Sequence, residues 1–151
     1  MGNALRRWLL ALVVLPGLAT SGAWGQAMEP ATDVGAAERA AIRTVIDNQL
    51  AAFKRDDAAT AFGFAAPNIQ DMFGTPEHFL AMVRQGYQPV YRPSDVRFGE
   101  LVRIDGRLTQ LVHLVGPDGV PQLALYFMEQ QPGGLWRITG CVLTVEPGAT
   151  T

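Results

Sequence analysis

The fold of this chain depends on residues 41–73, AIRTVIDNQLAAFKRDDAATAFGFAAPNIQDMF. The first half of this stretch repeats large apolar residues at three- and four-residue spacing, which is the period of one stripe on an α-helix. These residues are Ile42, Val45, Ile46, Leu50 and Phe53. Asp56 and Asp57 then favour a tight corner, where either carboxylate can cap a second helix over residues 58–66. The stretch therefore predicts a layer of helices with one apolar face.

The chain after this layer reads mainly as strands. A further helix is predicted from Thr75, a capping residue, to Gly86, and residues 87–93 (YQPVYRP) are expected to be extended because proline disfavours α conformation in the residue before it. Strands are predicted for residues 96–104, 108–115, 120–129 and 135–145. The turns between them are short and rich in Gly, Pro and Asp, which favours an antiparallel meander. Helices followed by strands indicate an α+β domain, with N-terminal helices packed on a curved four-stranded antiparallel sheet.

The N-terminus carries the pattern of a secretory signal peptide at residues 1–27. Arg6 and Arg7 precede an apolar run over residues 8–23, and small residues suited to cleavage follow. This run is shorter than the roughly 20 residues of a membrane-spanning helix, so no stable membrane span is expected after cleavage. The sequence thus predicts a periplasmic or secreted protein, with a mobile linker over residues 28–40 and a single domain over residues 41–147.

Charge and cysteine content exclude several classes of protein. The chain has 12 basic and 14 acidic residues, and removal of Arg6 and Arg7 leaves the mature protein more acidic still. This balance argues against nucleic acid or an anionic membrane surface as a partner. Cys141 is the only cysteine, so no intrachain disulfide can form, and its apolar neighbours predict a buried, inert thiol.

The order of elements resembles the NTF2-like (cystatin-like cone) superfamily, in which a long helix, an Asp-Asp corner and shorter helices pack into a bent antiparallel sheet. Its last strand often begins with Trp-Arg-Ile, as residues 136–138 do here. More closely, residues 42–143 resemble a bacterial family of domains of unknown function, number 4864. The run FGTPEHF…MVRQGYQPVYRP carries most of this resemblance, together with ALYFMEQQ and WRITGCVL. The resemblance implies an NTF2-like cone and brings no chemistry with it.

Three residues are candidates for catalysis. Strict alternation in the first long strand would turn Glu100 into the apolar interior, where desolvation raises a carboxyl pKa towards that of a general base. A bulge at Gly99 is the alternative and would return Glu100 to solvent. His113 lies between two apolar strand faces, so its direction stays open, and a histidine that is hydrogen-bonded or at the surface is the alternative to a catalytic one. Asp71 resembles the base of steroid-isomerase-like members of the superfamily, although a capping or solvent-facing role is its default.

A second group of residues suggests a ligand site between the helices and the sheet. Tyr87, Tyr91 and Arg92 cluster in sequence with Arg84 one turn earlier, and forked guanidinium donors beside tyrosine walls could bind an anionic or polar ligand. The alternative is that the tyrosines cover the edge of the core while the arginines are solvated. Tyr126 joins this site through the same steroid-isomerase-like resemblance. No metal site or other cofactor is predicted, because His78 and His113 are the only histidines and no carboxylate stands at ligand spacing.

These observations leave three hypotheses about function. The first is a non-catalytic module that binds a small apolar or weakly polar ligand inside the cone. The second is an enzyme of isomerase, dehydratase or hydrolase type, with Glu100 or Asp71 as base. The third is an interaction module whose sheet face pairs with a second copy of the chain, as a homodimer, or with another protein. The third hypothesis predicts a contiguous apolar surface larger than a few hundred Å² and no enclosed pocket.

Overall fold

The computed structural model describes residues 28–146 and residue 148. The predicted signal peptide at residues 1–27 lies outside this part of the chain. Within it, no helix combines the length and apolar character needed to cross a membrane. The helices are α1 (Ala36–Lys54), α2 (Ala58–Gly63), α3 (Pro67–Phe73), α4 (Pro76–Gly86) and α5 (Gln88–Tyr91). The strands are β1 (Met28–Pro30), β2 (Asp95–Ile104), β3 (Arg107–Val115), β4 (Pro121–Gln130) and β5 (Trp136–Val145).

The strands form one antiparallel sheet in the order β1-β2-β3-β4-β5, and the helices pack against it, so the α+β class is confirmed. The prediction of four strands was wrong. The fifth is β1, which pairs Met28 with Ile104 and Pro30 with Val102 inside the segment predicted as a linker. Three residues are too few to show alternation, and an edge strand tolerates proline because its missing N–H costs no ladder bond.

Two further boundaries differ from the sequence prediction. Helix α1 begins at Ala36 rather than near residue 41, and Glu38 accepts a hydrogen bond from the Gly35 N–H at its start. Residues 88–91, predicted to be extended, form helix α5. Pro89 lies in the first turn of that helix, where its lack of an N–H and its fixed φ suit helical geometry. Pro89, Val90 and Tyr91 of this helix are buried, and their packing overrides the preference for extended backbone before proline.

The core lies between the helices and one face of the sheet. Helix α1 buries Ile42, Ile46, Leu50 and Phe53, four of the five residues of the predicted stripe, and Val45 is half-buried. Phe79 of α4 is the centre of an aromatic cluster. Its ring centroid lies 5.9 Å from Phe53, 5.4 Å from Phe62 and 5.7 Å from Phe73. One side chain of α4 thus joins α1, α2 and α3.

Strand β2 contains the bulge that the sequence offered as an alternative for Glu100. The pairing register with β3 shifts between Phe98 and Leu101, so Leu101 is buried and Glu100 is exposed. Gln110, which is 1% exposed, donates from Nε2 to the Gly99 carbonyl at 2.9 Å and so satisfies backbone released by the bulge. The bulge at Gly99 is confirmed, and Glu100 does not enter the interior.

Candidate functional site

A cavity of about 410 Å³ lies between the helical layer and the sheet. On the helical side its wall includes Phe53, Ile69 and Phe79, and on the sheet side it includes Tyr126, Ile138 and Cys141. The volume falls in the range typical of small-molecule sites. Most of the lining is apolar, so the cavity offers an organic molecule an environment much like a protein core.

The mouth of the cavity lies beside α3. Met72 lines the cavity and is also 70% exposed, and no residue of this helix is fully buried. The helix is held by polar contacts at one end: Asn68 donates from Nδ2 to the Thr139 carbonyl at 3.1 Å, and Gln70 donates from Nε2 to the Ala65 carbonyl at 3.1 Å. The cavity is therefore reached past a short helix whose Met72 is exposed, while the Phe73 ring at its end packs against Phe79.

Tyr126 lines the cavity from strand β4 and is fully buried. Its hydroxyl has no hydrogen-bond partner among the described residues. The Cys141 thiol lies opposite on β5 as its cross-strand neighbour and is near enough to interact with the phenol, but sulfur is a weak acceptor and the contact lacks hydrogen-bond geometry. Burial raises the pKa of Tyr126 well above its usual value, so the phenol keeps its proton and remains a donor. A buried donor without a partner is costly and uncommon in folded proteins.

Cys141 forms part of the same wall. Burial raises the pKa of its thiol to about 12. Because the thiolate is the nucleophile, this environment makes the cysteine unreactive near neutral pH. The residue is half-buried rather than fully buried, and the raised pKa favours the inertness that the sequence predicted for its thiol.

Alkylation should report this environment directly. At pH 8 we expect iodoacetamide to modify native Cys141 about a thousandfold more slowly than the urea-unfolded chain, because the thiolate fraction falls with the raised pKa. The measurement is the mass increment over time, which is unambiguous because the chain has one cysteine. Native and unfolded rates within a factor of about ten would show that the thiol is solvated instead.

The remaining polar groups at the cavity are neutral. Gln49 is 3% exposed and donates from Nε2 to the Ala61 carbonyl at 3.1 Å. Tyr87 stands at the sheet edge, where its hydroxyl donates to the Cys141 carbonyl at 3.3 Å and burial raises its pKa. No acidic, basic or histidine side chain occurs among the cavity-lining residues of the described chain. Any molecule that occupies this cavity therefore meets donors and acceptors but no formal charge.

The predicted ligand cluster of tyrosines and arginines divides into two parts. Tyr87 lines the cavity with Tyr126, but Tyr91, Arg84 and Arg92 lie outside it. These three surround Asp56 at the corner after α1. Tyr91 donates its hydroxyl to the Asp56 carboxylate, and the two guanidinium groups lie 3.5 Å (Arg84) and 3.1 Å (Arg92) from it. The sequence did not reveal this partner, because Asp56 lies far from the cluster along the chain.

The Asp56 cluster, made of Asp56, Arg84, Tyr91 and Arg92, connects the corner after α1 to α4 and α5. The Arg92 guanidinium also donates to the Phe53 carbonyl at the C-terminal end of α1 and stacks on the Tyr91 ring at 3.9 Å. Asp56 adopts φ +54°, a conformation that Asp and Asn tolerate better than other residues with side chains. The neighbouring Asp57 caps α2 by accepting from the Thr60 N–H at 3.2 Å. The paired aspartates thus have separate structural roles.

The Asp56 cluster should make stability depend on acid pH. The Tyr91 hydroxyl and the two guanidinium groups hold the pKa of Asp56 below its ordinary 3.8, so this carboxylate stabilises the fold above that pH. We expect Asp56→Asn to be less stable than wild type at pH 7, and the difference to vanish as the pH falls through the lowered pKa. Urea unfolding at stepped pH tests this, with the exposed Asp71→Asn as matched control. The prediction would be contradicted if the free energies of unfolding of wild type and Asp56→Asn differed by the same amount from pH 7 to pH 2.

The catalytic candidates do not meet at the cavity. Glu100 and Asp71 are exposed and do not line it. His113 points away from the core, because its neighbours Val112 and Leu114 are buried there, and its Nδ1 lies 2.6 Å from Glu146 Oε1. His78 is exposed on α4. The described residues contain no group of three or more His, Cys, Asp or Glu side chains able to hold a metal ion.

Sequence reasoning missed Gln49 as a member of the cavity wall and Cys141 as the neighbour of Tyr126. A signal for Gln49 was present. It falls three residues after Ile46 and four before Phe53, on the apolar stripe of α1, where a polar residue is unexpected. The pairing of Cys141 with Tyr126 depends on the register between β4 and β5, which contains an irregularity after Phe127 that no local pattern predicts.

Comparison with known proteins places the chain in a family. Residues 35–151 match the family model described as a domain of unknown function (DUF4864). No curated protein and no solved structure matches the chain. Because the match spans most of the sequence, the chain belongs to this family, and the resemblance to family 4864 is confirmed.

Proposed function

We propose that this member of the DUF4864 family is a non-catalytic module that binds a small apolar or weakly polar molecule in the cavity between its helices and its sheet. The observation that supports this most strongly is the cavity itself, about 410 Å³ of largely apolar space with a mouth beside α3. Cavities of this size in a protein core lower stability, because the surrounding side chains lose their packing partners. A bound molecule would restore those contacts.

The domain is proposed to be an NTF2-like cone. Support comes from the order of the elements, with one long helix and shorter helices on a single face of an antiparallel sheet. Register shifts in β2 and near the end of β4 provide the bends that such a sheet needs to curve around a cavity. The cavity lies where a cone would hold its ligand.

A binding role is favoured over catalysis because of what lines the cavity. General acid–base chemistry needs a titratable group within hydrogen-bond reach of the substrate. The described lining contains no carboxylate, imidazole or amine, and the candidates Glu100, Asp71 and His113 lie elsewhere. The phenol of Tyr126 and the thiol of Cys141 both have raised pKa values, so neither is a ready base or nucleophile.

The binding module is further proposed to act in the periplasm or outside the cell, on the strength of the signal-peptide pattern in residues 1–27. Apolar molecules are poorly soluble in these compartments, so a carrier or sensor with a protected cavity would be useful there. Mass spectrometry of the exported protein tests the location, because the mature chain should begin after Gly25 or Ala27.

Native mass spectrometry tests ligand binding. The protein is exported to a bacterial periplasm and purified gently, and we expect a stoichiometric extra mass that is lost on denaturation. The variant Ile69→Trp should abolish this mass, because Ile69 is a half-buried cavity residue on α3 and a larger side chain there can extend into the empty space. The matched control Ile69→Val leaves the cavity open and should retain the mass.

Two results would count against the proposal. A clean dimer without a retained mass would favour the protein–protein module instead. Retention of the extra mass by Ile69→Trp at full occupancy would place the ligand elsewhere on the protein. The surface that such a dimer would use is the outer face of the sheet, where the half-buried Leu111 and Leu125 and the exposed Val142 lie side by side on three neighbouring strands.

A further inference from the structure

We infer that the cavity selects an uncharged, mainly apolar molecule with one hydrogen-bond acceptor oxygen, and that this oxygen is received by the Tyr126 hydroxyl. The inference rests on the proposed binding function and specifies its ligand class. It follows from three observations on the cavity. These are an unpartnered donor, a lining without charge, and an exposed apolar side chain, Met72, at the mouth.

The unpartnered donor is the first observation. Tyr126 is 0% exposed, and its hydroxyl has no partner among the described residues. The other polar side chains at the cavity are already engaged through a donor: Gln49 with the Ala61 carbonyl and Tyr87 with the Cys141 carbonyl. Buried polar groups in native proteins are nearly always satisfied, so the unsatisfied hydroxyl at the cavity points to an absent partner. A partner for a protonated phenol is an acceptor, such as a carbonyl or ether oxygen.

The lining without charge is the second observation. No cationic side chain stands at the described cavity wall to neutralise a carboxylate or a phosphate, and no anionic side chain stands there to neutralise an amine. Moving an unpaired ion from water into such an environment is strongly unfavourable. Arg84 and Arg92, which lie within two residues of the lining residues Val83 and Val90, contact Asp56 outside the cavity. A charged ligand is therefore disfavoured and a neutral one is accepted.

The position of the mouth gives the orientation. Met72 at the mouth is exposed and apolar, whereas Tyr126 is completely buried on the sheet side. The acceptor oxygen of the ligand must then enter first, and its apolar end remains beside α3. This arrangement satisfies the buried hydroxyl and leaves the flexible thioether of Met72 against the apolar end, where it can adapt to different shapes.

Four naphthalene probes of one shape and different polarity test the inference: 2-acetylnaphthalene, 2-ethylnaphthalene, 2-naphthoate and 2-naphthylmethylamine. Their dissociation constants are measured by isothermal titration calorimetry with exported protein that has been denatured and refolded to remove any retained molecule. We expect the ketone to bind about five- to tenfold more tightly than the hydrocarbon, because it satisfies the hydroxyl. The anion and the cation should both bind more weakly than the ketone, because each would be buried without a counter-ion.

Two variants connect the preference to Tyr126. Tyr126→Phe removes the donor and should reduce the ketone-to-hydrocarbon ratio to about one, while binding of 2-ethylnaphthalene persists. The matched control Tyr91→Phe removes the hydroxyl of a buried tyrosine outside the cavity, which donates to Asp56, and should keep the wild-type ratio. The ratio is measured within each variant, so a change in overall stability does not alter its meaning.

The outcomes separate this inference from the proposed function. Equal binding of ketone and hydrocarbon by the wild-type protein, or tightest binding of 2-naphthoate or of the amine, would overturn the inference while binding in the cavity stands. An unchanged ratio in Tyr126→Phe would likewise overturn it. Binding of none of the four probes, together with the absence of a retained mass in native mass spectrometry, would overturn both.

Discussion

Phe79→Ala is expected to lower the free energy of unfolding by about 3–5 kcal/mol, the range observed for removing a buried phenylalanine. Phe79 is 6% exposed, and its ring contacts the rings of Phe53, Phe62 and Phe73. Each such aromatic contact contributes beyond the area that it buries. The ring also forms part of the cavity wall, so its removal would enlarge an existing void rather than allow the helices to close over it.

Urea denaturation measures this loss, with two substitutions on α4 as controls. Phe79→Leu keeps much of the volume and should cost about 1.5 kcal/mol or less. The exposed neighbour His78→Ala should change stability by about 0.5 kcal/mol at most. A result for Phe79→Ala as small as that for His78→Ala would mean that the helical layer is not held together through this ring, and that the cavity is bounded in some other way.

The parts of the fold that local patterns encode were predicted well. The apolar stripe of α1 and the four long strands follow from periodicities of 3.6 and 2 residues, and each predicted strand lies within one residue of the observed bounds at either end. Strand β1 and helix α5 were missed because each has at most four residues and takes its conformation from its neighbours. Met28 and Pro30 are extended because they pair with β2. Pro89 is helical because it lies in the first turn of α5, where proline fits.

The candidate site was predicted less well, because its chemistry depends on partners that are distant in sequence. Tyr91 and Arg92 have the composition of a ligand site, and only their contact with Asp56, more than thirty residues away, shows that they fasten two helices together. Tyr126 was included by resemblance, yet its importance lies in the partner that its hydroxyl lacks, and spacing along the chain carries no information of that kind. Side-chain type predicted which groups were capable of binding, and tertiary contacts decided which of them were already satisfied.

Tyr126→Phe is expected to raise the free energy of unfolding of the ligand-free protein by about 1–2 kcal/mol. In the unfolded chain the phenol hydroxyl bonds to water, and in the fold it loses that bond without replacement among the described residues. Removing the hydroxyl removes this cost, and the phenyl ring keeps the contacts of the buried tyrosine. Most core substitutions destabilise, so a gain would be diagnostic of an unsatisfied group. This cost is what a ligand with an acceptor oxygen would relieve, which links the stability of the empty protein to its selectivity.

The matched comparison is Tyr91→Phe, which removes a hydroxyl of a tyrosine that is also buried. That hydroxyl donates to Asp56 and accepts from Arg84, so its loss should lower stability and give a shift of the opposite sign. Both variants are compared by urea unfolding after denaturation and refolding have removed any retained molecule. Destabilisation by Tyr126→Phe similar to that by Tyr91→Phe would show that the Tyr126 hydroxyl is satisfied within the protein. The cavity would then bind by shape and apolar contact alone.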